Sequence, residues 1–261
     1  FSMQRVLFHS TVFGPIHSRR LGISLGVNLS PNDGKVCSFD CLYCEAGFNA
    51  QGAGVSGLPS RSEVRSRLEE KLRDMQASGS GLDVITFSGN GEPTLHPDFA
   101  GIVDDTLALR DRFFPSAKVS VLTNSTRIDR DDVVGALKKV DNNILKLDSA
   151  LDGTVRLVDR PNMPGFTAEA VVERLKVFKG TGIIQTMMLR GEWEGVKIDN
   201  TTAEEVDALI DAYRAIMPRE VMIYSLDRAT PAQSLVKVPE DELRVIAGKI
   251  TAATGIPVKV N

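Results

Sequence analysis

The sequence predicts an α/β fold in which parallel strands form an incomplete barrel with helices on the outside. Stretches with strand-like and helix-like patterns alternate along the chain, which is typical of repeated strand–helix units. The strand-like stretches are short and mostly apolar or β-branched, as strands buried on both faces are. A length of 261 residues suits one domain of this class.

Six strands and six helices are predicted in alternating order. The strands span residues 23–29, 84–87, 118–122, 143–147, 183–188 and 221–224. The helices span residues 64–75, 99–113, 131–140, 168–178, 203–216 and 239–253. Two serines and a glutamate in residues 60–63 form a start signal for the first helix. Residues 1–12 are expected to form an N-terminal extension, and residues 13–261 the barrel domain.

The net charge and the distribution of apolar residues limit the classes of partner that the chain could bind. The formal net charge is −3, whereas a folded RNA or a duplex is usually held by a basic surface. A nucleic-acid partner is therefore disfavoured but stays open. No apolar run approaches the length of a membrane span, and the N-terminus has no apolar signal core. Together with free cysteines, these features predict a cytoplasmic protein with no membrane partner.

All three cysteines of the chain lie in one short segment, at Cys37, Cys41 and Cys44. Three thiolates on one loop can hold three irons of a four-iron cluster and leave the last iron open to a small molecule. A thioredoxin-like pair would leave Cys37 unexplained. A zinc site would need a fourth ligand, and the three histidines lie outside the loop. Inert buried cysteines are the remaining alternative, but packing residues are not usually bunched in this way.

Two motifs resemble those of a known family. The CxxxCxxC segment, with the aromatic Tyr43 before its last cysteine, is similar to the signature of radical S-adenosylmethionine (radical SAM) enzymes. The run Gly89-Asn90-Gly91-Glu92-Pro93 resembles their GGEP element. Further segments resemble a subgroup of small iron–sulfur oxidoreductases related to the wybutosine-forming 4-demethylwyosine synthases. These segments are residues 13–22, 144–148, 159–162, 184–187 and 223–228.

The resemblance implies a fold, cofactors and an activity. It implies a partial (β/α)6 TIM-like barrel, one 4Fe-4S cluster on the three cysteines, and S-adenosylmethionine (SAM) at the open iron. The backbone of Gly89, Asn90, Gly91 and Glu92 would bind the SAM ammonium group, and Tyr43 would lie near the adenine. An electron donor such as flavodoxin or ferredoxin would supply the electron. Reductive cleavage of SAM would give a 5′-deoxyadenosyl radical that abstracts hydrogen from a substrate.

Polar residues at the ends of later strands are candidate site residues, because the working groups of α/β barrels lie at the carboxyl ends of strands. Candidate SAM contacts are Asn124, Lys146, Asp148 and Ser149. Candidate catalytic or substrate-facing residues are Gln185, Tyr224 and Asp227. A structural polar network is the alternative for Gln185, Tyr224 and Asp227, and a solvated amine is the alternative for Lys146. Five arginines are candidates to bind an anion at the barrel mouth: Arg19, Arg20, Arg160, Arg190 and Arg228.

These observations favour a radical SAM oxidoreductase or lyase that acts on a small anionic metabolite or a polypeptide. With three cysteines, the described sequence holds no cysteine-ligated auxiliary cluster. That count disfavours a 4-demethylwyosine synthase, which by resemblance carries more cysteines. The alternatives are a tRNA-modifying wybutosine-like enzyme, a glycyl-radical activase, and a non-catalytic iron–sulfur sensor that binds SAM.

Overall fold

A computed structural model describes residues 5–18, 21–228 and 230–261. Its strands are β1 (Val12–Ser18), β2 (Gly22–Val27), β3 (Val84–Phe87), β4 (Lys118–Thr123), β5 (Asn142–Lys146), β6 (Ile183–Met187), β7 (Leu189–Trp193), β8 (Val196–Asp199), β9 (Glu220–Tyr224), β10 (Leu235–Lys237) and β11 (Val258–Val260). Its helices are α1 (Arg61–Ala77), α2 (Phe99–Phe113), α3 (Asp131–Lys139), α4 (Asp152–Val158), α5 (Ala168–Leu175), α6 (Ala203–Ile216) and α7 (Glu240–Thr254).

The main sheet of the described residues has eight strands, in the order β1-β2-β3-β4-β5-β6-β9-β11. The six strands from β2 to β9 run parallel to one another and correspond to the six predicted strands. At one edge β1 pairs antiparallel with β2, and at the other β11 pairs parallel with β9. The predicted α/β fold, a partial barrel with outer helices, is confirmed.

Helices α1, α5 and α6 each begin at a side-chain cap that precedes an apolar stripe. In α1 the Ser60 side chain accepts a hydrogen bond from the backbone N–H of Glu63, which satisfies one free donor of the first turn. The buried residues of α1 recur every three or four positions, so one face packs against the sheet. These residues are Val64, Leu68, Leu72 and Met75. The core lies between this layer of helices and the strands.

A second, three-stranded sheet follows the ends of the barrel strands, in the order β10-β7-β8. This sheet was not predicted from the sequence: the strand expected to end at residue 188 stops at Met187, and β7 starts at Leu189. Apolar residues join this small sheet to the cysteine loop in a second cluster. The buried members of that cluster are Leu42, Phe48, Val158, Met187, Leu189, Ile198, Leu226 and Ala232.

Two further findings bear on the sequence analysis. In the described parts of the chain, no helix is both long and apolar enough to cross a bilayer. Two of the five candidate arginines, Arg19 and Arg20, lie outside the described residues.

Candidate active site

The three cysteines lie on the loop that follows β2, at the carboxyl end of the strand. The loop is braced from inside by Lys35, whose side chain is 1% exposed. Its ammonium group donates to the Gly47 carbonyl at 2.7 Å and lies 3.6 Å from the carboxylate of Asp40. A buried cation is stable only when it is paired and hydrogen-bonded, so these contacts fix the loop around its thiols.

The glycine turn after β3 packs directly against this loop. The N–H of Val36 donates to the Asn90 carbonyl at 3.2 Å, and the N–H of Glu92 donates to the Val36 carbonyl at 3.0 Å. A Cβ atom on Gly91 would lie 1.8 Å from that same carbonyl oxygen. A Cβ on Gly89 would lie 2.4 Å from the Asn28 side chain. Glycine is therefore required at Gly91 by the close approach of two backbone segments, and at Gly89 by the close approach of the Asn28 side chain.

Glu92 ties the turn to the end of β4. Its carboxylate accepts from the hydroxyl of Thr123 at 2.7 Å, from the backbone N–H of Asn124 at 2.7 Å and from the backbone N–H of Thr94 at 3.1 Å. Burial raises the pKa of Glu92, and these hydrogen bonds oppose the rise. The carboxylate thus holds the glycine turn and the strand end in a fixed relation.

The cysteines and the glycine turn face a shared cavity of about 230 Å³ at the carboxyl ends of the strands. Its lining includes Cys37, Phe39, Cys41, Tyr43, Cys44, Ser88, Gly89, Gly91, Glu92, Leu122, Thr123, Asn124, Lys146, Gln185 and Tyr224. Burial, with a smaller effect from Glu92, raises the pKa of Cys37 to about 12, and burial raises that of Cys41 as well. Thiols in such surroundings lose their protons when a metal compensates the charge.

The donor set fits an iron–sulfur cluster. Three thiols of one loop line the cavity, and soft thiolate ligands select such clusters. Within the residues that the structure describes, no three His, Cys, Asp or Glu side chains converge as ligands of a single metal ion. That finding is compatible with a cluster, because each cysteine of a cubane binds a different iron.

Comparison with known proteins settles the family. A model described as the radical SAM superfamily matches residues 32–195. The chain belongs to the radical SAM superfamily. The predicted resemblance is confirmed, and the cofactors of this radical SAM protein are a 4Fe-4S cluster and SAM.

Two curated relatives and one solved structure illustrate the range of similar proteins. The chain is 28% identical over 236 residues to "GTPase Obg" of Brachyspira hyodysenteriae, and the match covers 89% of the chain but 32% of that protein. It is 28% identical over 274 residues to a UPF0026 protein of Synechocystis, with 95% of each covered. A structure of TYW1 with a lysine-pyruvate adduct bound has a TM-score of 0.58 and 12% identity, over 88% of this chain and 73% of that one. At that identity the likeness shows a shared fold.

Tyr43, Lys146 and Asp148 form a buried polar network beside the cysteines of this radical SAM protein. The Tyr43 hydroxyl donates to Asp148 and also contacts the Lys146 ammonium, which lies 3.5 Å from the same carboxylate. The Lys146 and Asp148 side chains are 17% and 2% exposed. Burial alone would lower the pKa of Lys146, but Asp148 and other nearby acidic groups outweigh it and hold that pKa well above its usual value. The network therefore keeps the Lys146 ammonium charged at the wall of the cavity.

Asp159, the residue that follows α4, joins this network and was not among the candidates predicted from the sequence. Its carboxylate lies 3.7 Å from the Cys41 sulfur, and burial, with the neighbouring Asp148, raises its pKa. The residue stands in the segment 159–162, which carried part of the family resemblance. No feature of the residue itself, apart from that segment, distinguishes it from a surface aspartate.

Three candidate SAM contacts direct their side chains towards protein groups. The Asn90 side chain is bound to the backbone of Phe8 through an N–H at 2.8 Å and a carbonyl at 2.7 Å. The Ser149 hydroxyl donates to Glu205 at 2.6 Å. The Asn124 amide donates to Ser38 at 2.9 Å and lies 3.6 Å from the Cys37 sulfur, so it also lines the cavity.

The candidate catalytic residues separate into two groups. Gln185 of β6 and Tyr224 of β9 line the cysteine cavity. Burial raises the pKa of Tyr224 to about 12, so its phenol stays protonated. Asp227 instead pairs with Lys237 at 3.2 Å, with 72% of its side chain exposed, and lines a different groove.

The described candidate arginines do not converge on one anion site. Arg160 pairs with Asp40 at 2.6 Å and lies over the ring of Phe48. Arg190 pairs with Glu242, and Arg228 lies 3.4 Å from Glu45. Each guanidinium already has a carboxylate partner.

Proposed function

We propose that this radical SAM protein cleaves SAM reductively and uses the resulting radical to abstract hydrogen from a small anionic metabolite or a polypeptide, as an oxidoreductase or a lyase. The observation that carries the proposal is the shared cavity. It brings the three thiols together with the glycine turn and a buried network of Tyr43 and Lys146.

The chain's own groups have distinct tasks in this proposal. Cys37, Cys41 and Cys44 hold the cluster, and the backbone between Gly89 and Glu92 binds the amino acid part of SAM. Tyr43, fixed by Asp148, covers the adenine side. When bound, the cluster and SAM would supply the radical chemistry, in which one electron passed to SAM breaks its sulfur–carbon bond and gives methionine and a 5′-deoxyadenosyl radical. The cavity lining, which is made of buried and half-buried residues, would shield that radical from water.

Gln185 and Tyr224 are the proposed substrate-facing groups. They stand on neighbouring strands in register, with Gln185 opposite Met222 and Met187 opposite Tyr224. A glutamine amide and a protonated phenol can each donate a hydrogen bond to a carboxylate or a peptide carbonyl. Their place in the cavity lining supports contact with the substrate at the reacting position.

Charge supports a small or polypeptide substrate in preference to tRNA. The net charge of the chain is −3, and the described candidate arginines are paired with carboxylates. Binding of a folded RNA releases counterions from many phosphate contacts, which requires free cations. A reductase such as flavodoxin or ferredoxin is the proposed electron donor, and the cytoplasm is the proposed compartment.

The test is anaerobic reconstitution with iron and sulfide, reduction with dithionite, and measurement of 5′-deoxyadenosine from SAM. We expect about four irons per chain and product formation that depends on all three cysteines. Ser66→Ala, an exposed position on α1, is the matched control and should retain both. Iron and SAM binding without any 5′-deoxyadenosine would instead indicate a sensor.

A second measurement addresses the class of substrate. Addition of unmodified tRNA should not increase 5′-deoxyadenosine release, and retention of tRNA by the purified protein should be weak at about physiological salt. Tight, salt-sensitive retention with tRNA-dependent product release would support the wybutosine-like alternative.

A further inference from the structure

A groove of about 650 Å³ lies beside the cysteine cavity, on the outer side of the barrel mouth. Glu45, the neighbour of Cys44, lies on one wall, and Leu226, two residues beyond Tyr224 of the cavity, lies on another. The third wall is β10, through Leu235 and Lys237. The groove therefore adjoins the cofactor cavity through both the cysteine loop and the end of β9.

Strand β10 is an edge strand whose register shows which backbone groups point outward. Among the described strands it pairs with β7, with Leu235 opposite Gly191 and Val236 opposite Arg190. One position earlier, the Glu192 N–H donates to the Ser234 carbonyl at 3.3 Å. Bonded and non-bonded pairs alternate along antiparallel strands. Val236 therefore bonds towards β7, whereas Leu235 and Lys237 direct their N–H and carbonyl groups away from it.

The outward groups of β10 have almost no partners within the described residues. The Leu235 N–H makes a long contact of 3.5 Å with the Ala232 carbonyl. No backbone hydrogen bond among those residues uses the Lys237 N–H or the carbonyls of Leu235 and Lys237 in this outward direction. Unpaired N–H and carbonyl groups along an edge are a template for another strand.

The charged residues of the groove indicate which kind of polymer could bind there. Glu45 lies 3.4 Å from Arg228, and Asp227 lies 3.2 Å from Lys237, so the two cations are balanced by two carboxylates. A polyphosphate would have to displace these carboxylates. An extended polypeptide needs only the backbone edge and room for alternate side chains, which is the recognition mode of strand addition.

We propose that an extended polypeptide segment binds in this groove by adding a strand to the outer edge of β10, which brings one of its residues to the mouth of the cofactor cavity. The geometry of β10 supports a docking site for an extended polypeptide. That the bound polypeptide is the substrate rests on the proposed function.

The test uses a panel of ten-residue peptides of alternating threonine and valine with one lysine and one glutamate, acetylated and amidated at their ends and labelled with fluorescein. Fluorescence anisotropy measures their binding to the reconstituted protein. Lys237→Pro removes the outward N–H and should weaken binding at least tenfold. Lys237→Ala keeps that N–H and should stay within about threefold of the wild type, because an exposed ion pair contributes little.

A second measurement leaves the protein unchanged. Each peptide is compared with a version that is N-methylated at every residue and therefore has no backbone donor on either edge. Strand addition requires that the methylated version binds at least tenfold more weakly than the parent peptide. Equal binding of the two versions, equal binding by Lys237→Pro and Lys237→Ala, or no binding of any peptide below about 1 mM would overturn the proposal.

Other occupants give different results. Tighter binding of a ten-nucleotide single strand than of the peptides, or self-association of the wild type that Lys237→Pro abolishes, would overturn the proposal in favour of a nucleic acid or a second copy of the chain. Peptide binding is measured without SAM, and SAM cleavage without peptide. Failure of the docking site and failure of the proposed function are therefore seen separately.

Discussion

The replacement Gly91→Ala tests whether contact between the glycine turn and the cysteine loop builds the site. The new Cβ would lie 1.8 Å from the Val36 oxygen and 2.6 Å from its carbonyl carbon. Both are backbone atoms, so the two segments must separate by about 1.6 Å to reach an ordinary contact distance of 3.4 Å. The backbone of Gly91 also has φ +155°, which disfavours a side chain.

The expected magnitude follows from the bonds at risk. Separation removes the two hydrogen bonds between Val36 and the turn, at 3.2 and 3.0 Å, each of which contributes about 1 kcal/mol. With residual strain the loss should be about 2 to 4 kcal/mol of unfolding free energy. Gly153→Ala is the matched control, because Gly153 lies in α4 with nothing within 4 Å of an added Cβ. That helix position should gain up to about 1 kcal/mol.

Urea unfolding followed by circular dichroism gives both values, and equilibrium dialysis of the reconstituted protein gives the affinity for SAM. Gly91→Ala should weaken SAM binding at least tenfold, whereas Gly153→Ala should leave it unchanged. If Gly91→Ala unfolds with a free energy within about 0.5 kcal/mol of the wild type and binds SAM equally well, the contact between the glycine turn and the cysteine loop does not build the site.

Three further predictions concern other parts of the molecule. Alanine at any one of the three loop cysteines should abolish SAM cleavage, and cleavage by any of these variants would contradict the cluster assignment. Asp148→Ala should lower the unfolding free energy, measured in urea, by about 3 kcal/mol, because the Lys146 ammonium loses its carboxylate partner. The double variant with Lys146→Met should recover part of that loss. Equal stability of Asp148→Ala and the wild type would exclude this pairing. Burial raises the pKa of Asp141, but hydrogen bonds from the Val119 N–H and from Arg110 outweigh burial, so the folded pKa lies below its usual value. The ionised Asp141 carboxylate therefore stabilises the fold above the unfolded pKa of about 4, and this stabilisation is lost as pH falls through the lower folded pKa. Asp141→Asn should therefore be less stable by about 1 kcal/mol at pH 7 and converge with the wild type in acid, whereas a gap independent of pH would show that the charge is not responsible.

The sequence predicted the parallel strands because burial on both faces leaves a local signal. The stretch 84–87 is apolar or β-branched throughout, and β3 covers those residues. Strands β10 and β11 have three residues each and lie at edges, so no comparable signal exists for them. Strand β8 carries alternating polar residues and belongs to the small sheet that packs against the cysteine loop.

The same limit applies to the candidate site. The position of a residue at a strand end predicts its distance from the barrel mouth but not the direction of its side chain. Gln185 and Tyr224 face the cavity, whereas Ser149 turns to Glu205, a partner 56 positions away in sequence. Asn90 similarly binds Phe8, from a segment expected only as an extension. Such partners are set by tertiary packing, which no local pattern encodes.

The small sheet provides an optical probe at the mouth of the barrel. Trp193 is the single tryptophan of the chain, and it stands at the end of β7 with its ring centroid 5.7 Å from that of Phe48, four residues beyond Cys44. The guanidinium of Arg160 lies 5.6 Å from the same indole ring. Tryptophan emission therefore comes from one known place, so movement of the cysteine loop relative to the small sheet changes the wavelength and intensity of that emission without any attached dye.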